Sequence, residues 1–249
     1  MNEVIETILN HRSVRGFEER TLTREQIETI IAGAQAASTS SFLQAYSIIG
    51  ITDADKKRQL ADTAGNQTYV AENGHFFVFC ADLHRLHVAG VMENRETASS
   101  IESKEQFMVA LIDASLAAQN AAITAESMGL GICYIGGIRN DLKAVKSILK
   151  TPDHVIPLFG MAVGYPAQHN DKKPRLPLNH VFMENEYQQN EEKFREQLEE
   201  YNRTISSYYS ERTEGKRNDT WTGQTANMLE RKTRMYMQQF VWDQKMDLR

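Results

Sequence analysis

Three short segments, far apart in the chain, carry residue types that hold anions and flat rings: His11-Arg12-Ser13-Val14-Arg15, Tyr134-Ile135-Gly136-Gly137 and Lys173-Pro174-Arg175. Arginine grips a phosphate through paired N–H donors, and lysine holds one as a point charge. Paired glycines lack side chains, so a planar ring can come close to their backbone amides. Two prolines stiffen Lys173-Pro174-Arg175-Leu176-Pro177 and lower the entropy lost on binding. If the fold makes these segments converge, the ligand they suit is a phosphorylated flavin. A second basic group, Arg212, Lys216 and Arg217, lies in a polar loop between the last helices, and two separate basic loops suggest two separate phosphates. Each cation taken alone reads as a solvated surface charge, since most Arg and Lys are exposed.

Other chemistries lack their motifs. There is no G-x-S-x-G nucleophile elbow and no G-x-x-x-x-G-K-[ST] phosphate loop. Gly129-Leu130-Gly131 lacks a third glycine, because Tyr134 stands there, and the order helix, glycines, strand reads as a helix C-cap. His84-Arg85-Leu86-His87 is an isolated pair of histidines and reads as a surface loop. Without a protein-borne nucleophile or metal, a cofactor that carries its own reactivity fits best, and no catalytic side chain is assigned.

The elements that must position these residues follow from hydrophobic periodicity. Ile5, Ile8 and Leu9 predict a short helix ending at His11. Thr23 and Gln26 have capping-box spacing, and Ile27, Ile30, Ile31 and Ala34 then mark an amphipathic helix. The hydroxyl-rich Ser38-Thr39-Ser40-Ser41 could serve a ligand or simply cap and turn; a strand over 46–51, a helix over 55–64 and a turn at 65–67 follow. Apolar runs at 76–80, 132–138 and 159–164 predict buried strands. An alanine-rich helix is expected over 107–128, and Leu142, Val145, Ile148 and Leu149 stripe another. Gly136-Gly137 falls at a strand end, where it serves a ring or an ordinary turn equally well.

Past residue 166 the texture becomes polar and charged. This divides the chain into a core of residues 1–166, continued by a loop at 167–180, and a C-terminal helical excursion over 181–249. In its helix near 191–210, Phe194, Leu198, Tyr201, Ile205 and Tyr208 form a stripe that suits either an internal core or a second subunit.

With 249 residues, 41% hydrophobic and 24% charged, the chain can bury a full core. Its net charge of −5 provides no global attraction to nucleic acid or anionic membrane, so phosphate binding must be local. Cys80 and Cys133 lie in apolar runs and are expected to be buried thiols. No signal segment is seen, and no uninterrupted apolar run approaches the roughly 18 residues of a membrane span, so a cytoplasmic location is expected.

In order, the segments at 11–17, Ser38 to Gln44, Ala118-Gln119-Asn120, Glu126 to Gly131, Tyr134 to Asn140 and Lys173 to Pro177 closely resemble the nitroreductase superfamily. The match is to its NADPH-dependent, oxygen-insensitive nitroreductases and flavin reductases, and it extends to Asp219-Thr220-Trp221. The resemblance implies an α+β sandwich with a mixed, mainly antiparallel sheet, an intertwined homodimer and one bound FMN per subunit. It also implies that the C-terminal excursion contributes to the dimer interface and the NADPH site. His11, Arg12, Ser13 and Arg15, with Lys173 and Arg175, are then expected at the FMN phosphate and ring edge. Thr39, Ser41, Leu43 and Gln67 line the flavin, Tyr134, Ile135, Gly136 and Gly137 back its ring, and Arg212 and Arg217 receive the 2′-phosphate of NADPH. The implied reaction is ping-pong hydride transfer from NADPH through FMN to nitroaromatics, quinones, free flavin or oxygen. A flavin-binding module without turnover is the competing reading, and a purely structural protein is a third.

Overall fold

In the computed structural model, residues 2–168 and 171–248 are described. The chain divides into one unit comprising residues 1–170 and 234–249 and another comprising 171–233.

The first unit is α+β. Its elements are α1 (Glu3–Leu9), α2 (Arg24–Gln35), β1 (Tyr46–Ile51), α3 (Ala54–Thr63), β2 (His75–Asp82), α4 (His84–Met92) and α5 (Ala98–Ile101). Then come α6 (Lys104–Ser127), β3 (Gly131–Ile135), α7 (Leu142–Leu149) and β4 (Val155–Gly164), and α11 (Met237–Asp243) returns near the C-terminus. The sheet has strand order β1-β2-β4-β3, and all neighbours pair antiparallel. Its parallel component is the bridge between Ser13 and Ile132.

All eight residues of β2 are buried, and alternate side chains enter different cores. Phe76, Val78 and Cys80 join the cluster containing Leu60, Val145 and Phe240, whereas Phe77 and Phe79 join the one containing Ile30, Ala34 and the α6 alanines. Each fully buried phenylalanine contributes about 1.5–3 kcal/mol of apolar transfer. The capping box of Thr23 and Gln26 starts α2 as expected. Gly33 allows α2 to approach α6, since a Cβ there would lie 2.1 Å from Thr124 Oγ1. Cys80 and Cys133 are both free and buried.

Several boundaries differ from expectation. The strand expected over 132–138 ends at Ile135 and continues as a 3-10 turn over Gly136–Asn140. β4 starts at Val155, earlier than its apolar run, because Pro157 sits where the pairing with β2 shifts register between Phe79 and Cys80. A bulge accommodates a residue with no N–H to offer the ladder. His84 to His87 open α4 instead of forming a loop. The expectation of no membrane-length segment counted uninterrupted apolar residues. Taken over an 18-residue window, α6 is long and apolar enough to cross a membrane by length and composition, yet 44% of that window is buried in the protein.

The second unit contains α8 (Leu178–Val181), α9 (Glu191–Arg212) and α10 (Trp221–Glu230). Asn202 and Thr222 join α9 to α10: the Asn202 amide donates to Thr222 Oγ1 at 2.8 Å, and Thr222 N–H donates back at 3.0 Å. The buried stripe of α9 is Gln197, Tyr201, Ile205 and Tyr209. It advances by strict fours from Gln197, so Tyr209 ends it, and the expected Phe194, Leu198 and Tyr208 are only partly buried. Tyr201, Ile205 and Tyr209 pack with Leu176 and Trp221, giving this unit an internal core.

Candidate functional site

The segment after α1 runs beside β3. Val14 N–H donates to Ile132 O at 2.9 Å, and a Cβ on Gly131 would lie 2.6 Å from Val14 Cγ2. That close approach fixes the side chains on either side of Val14. His11 Nδ1 lies 2.7 Å from Glu126 Oε1 on α6, and Arg12 Nε donates to Asn10 O at 3.2 Å. The Tyr69 hydroxyl donates to Gln67 Oε1 at 2.8 Å, and the Arg15 cation acts on the same hydroxyl through its charge. Tyr69, which motif reading missed, thus ties to Gln67 by a hydrogen bond and feels the charge of Arg15. Burial and nearby Cys133 raise the Tyr69 pKa, while Arg15 pulls it down.

Tyr134 presents part of its ring to solvent, while its hydroxyl is tucked inside and donates to Ala118 O at 2.8 Å. Burial, and secondarily Glu126, holds that hydroxyl firmly protonated. Glu126 thus pairs with His11 and acts on Tyr134 through its charge. Beside Tyr134 lies a cavity of about 410 Å³ lined by Ser115, Ala118, Gln119, Gly136, Arg139 and Phe159. This size suits a small ligand. The glycine pair divides in role: a Cβ on Gly137 would lie 2.6 Å from Ala64 O, so packing demands glycine there, whereas one on Gly136 would meet only the Arg139 guanidinium at 3.1 Å. Ile135 is buried. A larger cavity of about 800 Å³ between α2 and β1 contains none of the expected site residues.

The hydroxyl-rich segment forms a tight loop. Ser41, Phe42 and Gln44 have φ of 47°, 60° and 53°, a left-handed backbone that non-glycine residues adopt at a cost. Asp113, fully buried on α6, compensates by accepting Ser40 N–H at 2.9 Å and Ala45 N–H at 3.0 Å. Its carboxylate pins the stretch that carries Ser41 and Leu43, and Thr39 immediately precedes it. Sequence reading missed Asp113; an acidic residue inside an alanine-rich helix was its signal.

In the second unit, Lys173 Nζ donates to Tyr209 OH at 3.0 Å, and Tyr209 OH donates to Gln224 Oε1 at 3.3 Å. Arg217 lies over the same ring, 4.4 Å from its centroid, and its Nε pairs with Asp219 at 2.7 Å. Lys173, then burial, then Gln224 act on the Tyr209 hydroxyl, and the net effect lowers its pKa. Arg212 donates to Tyr208 OH at 2.8 Å. Adjacent tyrosines therefore each seat one of the arginines expected to bind NADPH. Tyr201 OH donates to Pro174 O at 2.9 Å, and Arg175 donates to Lys173 O at 2.9 Å, which fixes the proline loop. The basic loops expected to be separate meet on Tyr209.

The donor set fits a phosphorylated flavin chemically: guanidinium, imidazole, hydroxyl and amide groups accompany a partly exposed aromatic ring. Among the described residues no cluster of three or more His, Cys, Asp or Glu could hold a metal.

The model of the Nitroreductase family matches residues 8–165, and that of the Nitroreductase family, C-terminal domain, matches residues 173–249. The chain is 57% identical over 241 residues to FMN reductase (NADPH) of Bacillus subtilis, covering 97% of each chain. The solved structure of B. megaterium NfrA1 superimposes with a TM-score of 0.98 at 60% identity, covering 99% of this chain and 100% of that one. NADPH:FMN oxidoreductase from Vibrio harveyi, complexed with NAD+, gives a TM-score of 0.87 at 37% identity over 100% of both chains.

Proposed function

The chain belongs to the nitroreductase family, and from that premise we propose that it is an FMN-dependent oxidoreductase that uses NADPH as its electron donor. The observation that carries this reading is the cavity of about 410 Å³ beside the partly exposed Tyr134 ring, where glycine at 136 leaves the backbone open to a flat ligand. When bound, FMN supplies the hydride-accepting and hydride-donating chemistry in alternating half-reactions with NADPH and a small-molecule acceptor.

The chain's own residues bind and orient. His11, Arg12, Ser13 and Arg15, together with Lys173 and Arg175, are assigned to the phosphate and ring edge of FMN. Thr39, Ser41, Leu43 and Gln67 line it, and Tyr134 to Gly137 back the ring. Arg212 and Arg217 are assigned to the 2′-phosphate of NADPH, for which guanidinium is the apt donor. Acceptors of the nitroaromatic, quinone, free-flavin and oxygen classes suit an open site.

The enzyme is a cytoplasmic homodimer in this reading. Support for the second copy comes from apolar side chains left outside: Met108, Ile112 and Leu116 recur every fourth residue on α6, each about half exposed, and Val4, Ile5, Ile8 and Leu9 of α1 are exposed too. The C-terminal excursion, with exposed Val181 and Phe182, is assigned to the interface and to NADPH binding.

The test is anaerobic mixing of FMN-loaded protein with NADPH. Rapid loss of flavin colour, restored by a quinone or nitroaromatic, is expected. Bound flavin that NADPH leaves oxidised would instead establish a binding module, and protein that takes up no FMN would end both readings.

A further inference from the structure

Tyr209 is the place where the two basic loops of the second unit converge: Lys173 Nζ lies 5.3 Å and the Arg217 guanidinium 4.4 Å from its ring centroid, and the hydroxyl serves Lys173 as well. The hydroxyl accepts from Lys173 Nζ and passes its own proton toward Gln224, so its hydrogen-bonding capacity is committed. The ring face lies under the Arg217 guanidinium at a distance typical of cation–π attraction. The ring itself is 9% exposed and fixed among Tyr201 and Ile205, so it offers a rigid platform to two otherwise flexible cations.

We infer that Tyr209 is a positioning residue that sets Lys173 by its hydroxyl and ring and Arg217 by its ring, and so tunes FMN retention and discrimination for the NADPH phosphate through one side chain. The inference rests on the assignment of Lys173 to the FMN phosphate and of Arg217 to the 2′-phosphate. It is distinct from a catalytic role, since Tyr209 acts through its neighbours.

The two roles separate by substitution. Tyr209→Phe keeps the ring and removes the hydroxyl; Tyr209→Leu removes both. Affinity for FMN is read on apoprotein by quenching of flavin fluorescence, and phosphate discrimination is read on FMN-loaded protein by calorimetric titration with 2′,5′-ADP against 5′-AMP. Tyr209→Phe is expected to raise the FMN Kd about two- to tenfold, the worth of one hydrogen bond, while leaving the 2′,5′-ADP preference within about twofold. Tyr209→Leu is expected to weaken both FMN and 2′,5′-ADP and to leave 5′-AMP unchanged. Lys173→Ala and Arg217→Ala serve as references. If they weaken their ligands while the Tyr209 variants do not, the positioning role is overturned and the loop assignments stand. If the reference variants change nothing, the assignments fall and the role of Tyr209 falls with them. Should Tyr209→Leu fail to fold, Tyr209→Phe decides alone, because a purely structural tyrosine would shift melting temperature without shifting FMN affinity.

Discussion

The loop of residues 39–45 and the basic loop of residues 212–219 both carry expected ligand-binding groups, but they are held by opposite means. The first has three residues in left-handed backbone, clamped from below by the fully buried Asp113 carboxylate. The second is held by tyrosine rings and by an Arg217–Asp219 pair whose side chains are 52% and 43% exposed. A buried carboxylate bonded to two backbone N–H groups cannot relax without leaving donors unsatisfied, whereas an exposed ion pair is worth about 0–1 kcal/mol and exchanges freely. A preorganised loop suits a ligand that stays through every turnover; a weakly paired arginine suits one that must arrive and leave. The contrast thus mirrors the proposed division between resident FMN and transient NADPH.

The largest effect that could break this contrast is expected from Asp113→Ala. The buried Ala45 N–H and the part-buried Ser40 N–H lose their acceptor, and stability in urea unfolding should fall by about 1–3 kcal/mol, with FMN affinity falling alongside. Asp113→Asn, which keeps one acceptor, should cost roughly half. If Asp113→Ala unfolds at the same urea concentration as the parent, the clamp is not what holds the loop.

Acid should attack the first unit through His75. Burial, with Lys57 as a lesser cause, lowers its pKa to about 4, and its Nε2 has no hydrogen-bond partner. The unfolded chain takes up this proton near pH 6.5 and the folded one only near 4, so the stability associated with neutral His75 is present above about pH 6.5. It declines as the pH falls toward 4, by up to about 3 kcal/mol. Thermal melting across that window should show the slope, and His75→Phe should flatten it; an unchanged slope would reject His75 as the group responsible.

Arg15→Ala should raise the FMN Kd about ten- to a hundredfold, the scale of one charge-assisted hydrogen bond. Dialysis retention of flavin checks it. The smallest effect is kinetic and lies in the exposed loop. Arg217→Ala should raise the KM for NADPH about tenfold and leave that for NADH alone, and in the parent protein added salt should weaken NADPH more than FMN. Equal salt sensitivity for both ligands would erase the contrast between clamped and exposed loops.

How much was legible in the sequence depends on the distance over which each feature is determined. The start of α2 could be read because Thr23, Gln26 and the isoleucines that follow are neighbours. The core strand β2 was plain from its continuous apolar run. Pro157 obscured the start of β4, since only pairing with β2 reveals the bulge that accepts it. Asp113 could not be assigned a role, because the N–H groups it binds are 73 and 68 residues away. The convergence of Lys173 and Arg217 on Tyr209 was hidden for a related reason: whether Tyr208 or Tyr209 faces inward turns on the phase of a helix whose neighbours are not local.

The two cysteines have a consequence for a protein proposed to pass electrons, at times to oxygen. Peroxide attacks the thiolate rather than the thiol. Burial, aided by Asp82, pushes the Cys80 thiol far above its ordinary value, and burial raises Cys133 despite the nearby Arg15 cation. Both sulfurs are thereby withheld from oxidants generated at the protein's own surface, and self-inflicted damage at cysteine is suppressed chiefly by desolvation.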